Sequence, residues 1–146
     1  MLLLIHHSFR YLIAISGAVV IAYALHGMAK GRPHDDTMRK LAVTFRSMLD
    51  LGVFTGIVLV MTDFGFRRDL GVHVALGILA AAVGHVVPVM MRGRRKADRT
   101  LLPYVVATAT AMLLVLLGGL SLLTSESGGE TVSSAPAPAV TATLSA

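Results

Sequence analysis

The 146-residue sequence contains no cysteine. That absence excludes disulfides, thiolate-held metals and covalent c-type haem attachment. There is no tryptophan either, so aromatic anchoring at a membrane interface falls to Tyr and Phe. Charge is scarce. Asp, Glu, Lys and Arg make up 14% of the chain, where a soluble domain carries about 25%. With 55% hydrophobic residues, this composition excludes an ordinary soluble domain and defines an integral membrane protein. The formal net charge of +5 does not point to nucleic acid. The basic residues fall between apolar runs, where they act as topology signals.

Four apolar runs are present. The first covers about Tyr11–Ala29, preceded by MLLLIHHSFR. A cleaved leader, with Ala22-Tyr23-Ala24 as the cleavage site, is the competing reading; it is disfavoured because two histidines and several apolar residues precede Arg10, where a basic residue should lead. KGRPHDDTMRK follows as a polar loop broken by Gly31 and Pro33. The second run, about Leu41–Met61, carries Arg46 and Asp50 inside it. Thr62–Gly71 forms a short turn. The third run, Val72–Met91, contains His73 and His85 and no acid or other base, with Pro88 in its last turn. The basic loop Arg92–Thr100 leads to the fourth run, about Leu101–Leu123, which is free of charge and has Pro103 in its first turn. Residues 1–123 thus form the transmembrane domain. Residues 124–146, rich in Ser, Gly, Thr, Pro and Ala, bury too little apolar surface to fold and form a disordered tail.

The expected fold is an all-α, antiparallel four-helix bundle in the membrane. The first and third loops hold Lys30, Arg32, Arg39, Lys40, Arg92, Arg94, Arg95, Lys96 and Arg99; the opposite side holds Arg10, Arg67 and Arg68. The positive-inside rule places the first group in the cytoplasm, leaving both termini, and the tail with Glu126 and Glu130, outside. No internal repeat is apparent.

An ionisable side chain inside a span is costly and marks a functional site by default. His73 lies at the outer end of its helix, near His6, His7, Arg10, Arg67 and Arg68. Toward the cytoplasm, His85, Arg46, Asp50 and His26 fall at overlapping depths. His73 and His85 are 12 residues apart, roughly 18 Å along the axis and about 120° around it. They cannot share one small ligand, but each can hold one planar cofactor, one per leaflet. Imidazoles from facing helices at matching depth are how a bundle core grips b-type haem. Arg10, Arg67 or Arg68 would meet the propionates, and Gly52 and Gly56 permit close approach of a helix or a flat ring. Each residue also has a plainer reading. His73 is then an interfacial histidine, His6 and His7 an exposed pair, His26 a helix-end cap and His34 a solvated loop residue. Arg46 and Asp50, at i and i+4, are then an ion pair that fixes helix rotation. The methionines are core filling.

His7-Ser8-Phe9-Arg10-Tyr11 in the first helix, Leu49-Asp50-Leu51 in the second, and His73 with Gly84-His85 before a basic loop in the third are together similar to small bacterial four-helix membrane proteins described as cytochrome-b-like. The resemblance spans about Leu4–Leu123. Gly52 and Val74 stand where that family tends to carry Gln and Pro. The resemblance implies that His7, His73 and His85 are haem-associated. On this reading His7 and His73 hold an outer haem b, and His85 with His26 an inner one that Arg46 and Asp50 orient. The chain is then a b-type cytochrome-like electron-transfer or anchor subunit of a bacterial cytoplasmic membrane, between a quinol and a redox protein partner. A homodimer or a larger assembly is equally compatible. Two other classes remain open: a cofactor-free accessory or assembly subunit, and a small proton- or solute-conducting protein using Asp50 and His85. The absence of a broken helix or inverted repeat weighs against a transporter.

Overall fold

In hydrocarbon no water satisfies backbone N–H and C=O groups, so an apolar chain without a closed barrel must bond within helices. The computed structural model describes residues 1–64, 68–91 and 100–129. It contains α1 (Leu2–Ala29), α2 (Asp36–Leu59), α3 (Arg68–Met91) and α4 (Leu102–Gly129), with one π-helical turn at Val60–Phe64. All four helices carry stretches long and apolar enough to cross a membrane, with mean hydropathy between 1.6 and 2.2. The chain is an all-α four-helix bundle of multi-pass membrane type.

Helix boundaries differ from the sequence expectation in ways that matter for the site. Helix α1 begins at Leu2, so His6, His7 and Arg10 lie on the helix and not ahead of it. No Gly or Pro interrupts the first ten residues, so nothing breaks the helix there. Gly31, at φ +60, turns the chain after α1. Asp35 then starts α2 as its N-cap: the backbone is extended and Oδ1 accepts the Met38 N–H at 2.8 Å. The Tyr23 hydroxyl donates to Oδ2 of the same carboxylate at 2.6 Å, joining α1 to the cap of α2. This Tyr23 hydrogen bond, followed by the Met38 N–H, holds the Asp35 carboxyl below the usual carboxylate range. Helix α4 continues past Leu123 to Gly129. The expected tail from 130 onward, the basic residues of 92–99 and Arg67 lie outside the described residues.

Helix neighbours run in a ring: α1 packs on α2 and α4, and α3 packs on α2 and α4. Close approaches at glycines fix the heights. A methyl on Gly56 would meet His6, one on Gly52 would meet Ile13 and Phe9, and one on Gly17 would meet Phe45 and Met112. Gly27 sits against Leu101, Gly77 against Val53, Gly84 against Leu49 and Arg46, and Gly118 against His73 and Leu76. As the number rises on one helix it falls on its neighbour, so every adjacent pair is antiparallel. The core follows one seam. Phe45, Met38, Leu49 and Val20 are the largest fully buried side chains, with Ala24, Ala80 and Ala111 closing the gaps. Large apolar side chains such as Ile15, Phe54 and Leu116 point outward, as a bundle solvated by acyl chains requires.

Candidate functional site: a histidine cavity between four helices

A helix that buries one face repeats its inward positions every three and four residues. On α1 the buried positions are Ile13, Gly17, Val20, Ala24 and Gly27. Continuing that stripe back by seven residues from Ile13 reaches His6. On α3 the stripe runs Met91, Val87, Gly84, Ala80, then Gly77 and His73. Two imidazoles therefore lie on inward stripes of diagonally opposed helices. His6 stands level with Gly56 and His73 level with Gly118, so both are near the end of the bundle that carries Met1. Their ring centroids are 6.1 Å apart and their planes cross at 77°.

Both rings are oriented by their Nδ1 atoms. His73 Nδ1 lies 2.8 Å from the Gly118 carbonyl oxygen. A carbonyl only accepts, so Nδ1 carries the proton and the neutral ring has its lone pair on Nε2. His6 Nδ1 lies 3.3 Å from Thr55 Oγ1. The Thr55 hydroxyl proton is directed to the carbonyls of Leu51 (2.8 Å) and Gly52 (3.0 Å). Its oxygen therefore accepts from His6 Nδ1–H, which again leaves Nε2 with the lone pair. A hydrogen bond on the far ring nitrogen is how a metal-ligating imidazole is held in tautomer and orientation.

The rings line a cavity of about 430 Å³ bounded by all four helices, within the range of about 300–1,000 Å³ found for small-molecule and cofactor sites. Its walls are apolar apart from His6, His7, His73 and Arg10. Glycines make the room: Gly52 and Gly56 on α2, Gly77 on α3, Gly118 and Gly119 on α4. A methyl at Gly56 would come within 2.9 Å of His6 Cε1, and one at Gly118 within 3.3 Å of His73 Nδ1. Arg10, one turn below His6, lines the cavity and lies over the Tyr11 ring at 5.2 Å.

These residues fit a porphyrin. The donor set is two neutral imidazoles, which suit iron. A first-row metal sits about 2 Å from an imidazole nitrogen, and the 6.1 Å between the ring centroids would leave room for one held by His6 and His73. The glycine walls accept a flat ring, and Arg10 supplies a cation for carboxylates.

The other expected site residues are placed differently. The ring contact to His73 is made by His6; His7, one residue off the stripe and exposed, touches His6 at 6.4 Å and lines the cavity. His85 is also one residue off its stripe. Its Nε2 lies 3.1 Å from both carboxylate oxygens of Asp50, and the two side chains are 49% and 47% exposed toward the membrane face. No ion pair joins Arg46 to Asp50 among the described residues. Helical side chains lean toward the N-terminus of their helix. The stem of Arg46 lies over Gly84 on α3, while on antiparallel α3 the lean brings His85 up to the Asp50 carboxylate.

An inner haem between His85 and His26 is not assembled here. Helices α1 and α3 are diagonal. Phe45 is level with Gly17, and the Asp50–His85 pair is nearer the Met1 end. His26 is thus at least nine residues (26 − 17) further along α1, roughly 13.5 Å. His34, expected in solvent, is half-buried, stacked on Tyr104 at 5.1 Å with its Nε2 2.9 Å from the Tyr104 hydroxyl. Among the described residues no group of three or more His, Asp or Glu side chains converges on a metal-sized site, so His7, His73 and His85 do not share one metal. Thr55, Gly118 and the choice of His6 over His7 escape a reading of motifs alone. The signal that finds His6 is the seven-residue extension of the Val20/Ile13 stripe. For Gly118 it is the Gly-Gly pair in an otherwise large-residue span.

Comparison with known proteins adds no relative: no family model, no curated protein and no solved structure matches this chain.

Proposed function

We propose that the chain is a b-type cytochrome-like electron-transfer or anchor subunit of a bacterial cytoplasmic membrane, with a single haem held between His6 and His73. The observation that carries this reading is the pair of imidazoles, level with one another across a glycine-walled cavity, each with Nδ1–H spent on a protein acceptor and Nε2 left to a metal. Bound haem supplies the one-electron couple. The chain's own residues do the rest. Thr55 and the Gly118 carbonyl fix the ring tautomers, Arg10 offers its cation to a carboxylate at the cavity mouth, and apolar walls from Ile13, Leu49 and Leu114 exclude water. A dry surround and hydrogen-bonded ligands are the levers by which a protein sets a haem potential.

A quinol is the partner that suits this setting, because the outward-facing Asp50–His85 pair presents hydrogen-bonding groups where only lipid-soluble molecules arrive. In the reading's topology, the basic loop 30–35 is cytoplasmic and the histidine cavity lies at the outer face. The test is a dithionite-reduced minus oxidised spectrum of the purified protein. The expected result is a sharp b-type band that disappears in His6→Ala and in His73→Ala. A folded wild-type protein that cannot be reconstituted with haem removes the reading and favours the cofactor-free accessory role.

A further inference from the structure

At the opposite end of the bundle a second recess, about 50 Å³, opens between α2, α3 and α4. Two cations line it. Arg39 and Arg46 are seven residues apart on α2, two turns along one face. No lining residue is acidic. The stem of Arg46 lies over α3 where Gly84 leaves space: a methyl there would be 3.6 Å from Arg46 Cγ. Its Nε is buried and has no hydrogen-bond partner. Arg39 reaches Asp36 at 3.6 Å, but both side chains are largely exposed, and such surface pairs hold little. Leaving a buried donor unpaired is costly, and a second guanidinium beside it adds repulsion. The recess therefore lacks an acceptor that is negative and offers several oxygens.

Depth narrows the choice. Arg39 is three residues from the start of α2 (39 − 36), Tyr104 two from the start of α4 (104 − 102) and Val87 four from the end of α3 (91 − 87). These offsets are roughly 3–6 Å along the helix axes, so the mouth of the recess lies near the helix ends at headgroup level; Arg46, ten residues in (46 − 36) and roughly 15 Å along α2, forms its floor and leans back toward that mouth. The rest of the lining is mostly apolar, through Ala42, Val43, Val87 and Pro88. A planar guanidinium fork matches phosphate oxygens, and basic recesses between transmembrane helices take phospholipid headgroups. We propose that Arg39 and Arg46 bind the phosphate of an anionic phospholipid. The apolar wall favours a lipid over free phosphate as the source of that group.

The test uses the full chain, delipidated in a neutral detergent. Thermal melts are recorded with phosphatidylglycerol, phosphatidylcholine or inorganic phosphate, and native mass spectrometry counts retained lipid. Phosphatidylglycerol is expected to raise the melting temperature and stay bound, with phosphatidylcholine doing neither. Arg46→Gln is expected to lose both effects. Lys40→Gln, a neighbouring cation outside the recess, is expected to keep them. Equal stabilisation by inorganic phosphate overturns the lipid as the source. No stabilisation by any of the three, or equal losses in Arg46→Gln and Lys40→Gln, overturns the site. Should Arg46→Gln fail to fold, Arg39→Gln reads the same difference. None of these signals depends on haem.

Discussion

Two levels of this bundle handle the same residue type in opposite ways. Near Met1, His6 and His73 point inward, and backbone or hydroxyl oxygens take their Nδ1 protons. Further along α3, His85 points outward and gives its Nε2 to a carboxylate. The difference comes from a rotation of about 100° per residue. His73 and Gly77 continue the inward stripe of Ala80, Gly84, Val87 and Met91, and His85 is one residue beyond Gly84. An inward imidazole with Nε2 free is available to a metal; an outward one with Nε2 occupied is half of a polar pair. Depth in the membrane, which a hydropathy plot gives, does not distinguish them. Helical phase does.

The sharpest way to break this contrast is to exchange the histidines' roles by deletion. His6→Ala or His73→Ala should abolish haem retention, while His7→Ala and His85→Ala should leave the reduced-minus-oxidised spectrum in place. Loss of the band in His85→Ala, with the fold intact by circular dichroism, would show that phase is the wrong criterion.

The supports of the rings come next. Removing a hydrogen bond behind a metal ligand typically costs about 10–100-fold in affinity, so Thr55→Val should weaken haem binding by about tenfold in a titration of the apoprotein. Gly56→Ala should act in the same direction, since its methyl would lie 2.9 Å from His6 Cε1; Gly77→Ala, where the nearest atom is at 3.5 Å, should be nearly silent. Equal effects at the two glycines would mean that cavity volume, not ring placement, is what they protect.

A smaller effect belongs to the outward pair. Asp50→Asn keeps the shape and removes the charge, and polar contacts between membrane helices are worth about 1 kcal/mol or less. It should lower thermal stability slightly and leave the haem spectrum unchanged. A spectral shift in this variant would couple the two halves.

The last prediction concerns pH. Asp35 has its folded pKa depressed by the Tyr23 hydroxyl and then the Met38 N–H. Its stabilising contribution is therefore present above the unfolded value of about 4 and is lost as pH falls from there through the folded value. Wild-type melting temperature should decline over that acid window. In Asp35→Asn, which still caps α2, the decline should be shallower. An identical slope in the two proteins would assign the acid loss elsewhere.

Much of the architecture could be read from the chain before any coordinates. Four charge-poor runs separated by Gly, Pro and basic residues leave little choice but four helices, and short connections make neighbours antiparallel. The site was legible only in part. His73 and Arg10 were marked by their chemistry, and both line the cavity. His7 drew attention through its place beside Ser8 and Arg10, yet the stripe through Ile13, Gly17, Val20, Ala24 and Gly27 points to His6. That information is local and could have been extracted. The partners of Asp50 and His34 could not, because they lie 35 and 70 residues away in sequence. The i, i+4 spacing of Arg46 and Asp50 allows a pair, but Arg46 packs over Gly84 and His85 takes the carboxylate, contacts made across to another helix.

The link between Tyr23 and Asp35 closes the first hairpin at one membrane surface, and the histidine cavity opens near the other. The protein is therefore addressed by two compartments separately. Acid on the loop side unfastens a carboxylate clasp and loosens the α1–α2 turn. On the proposed reading, acid on the far side would set protons in competition with the metal for its ligands. In sealed vesicles the two kinds of damage should divide according to which face meets the acid.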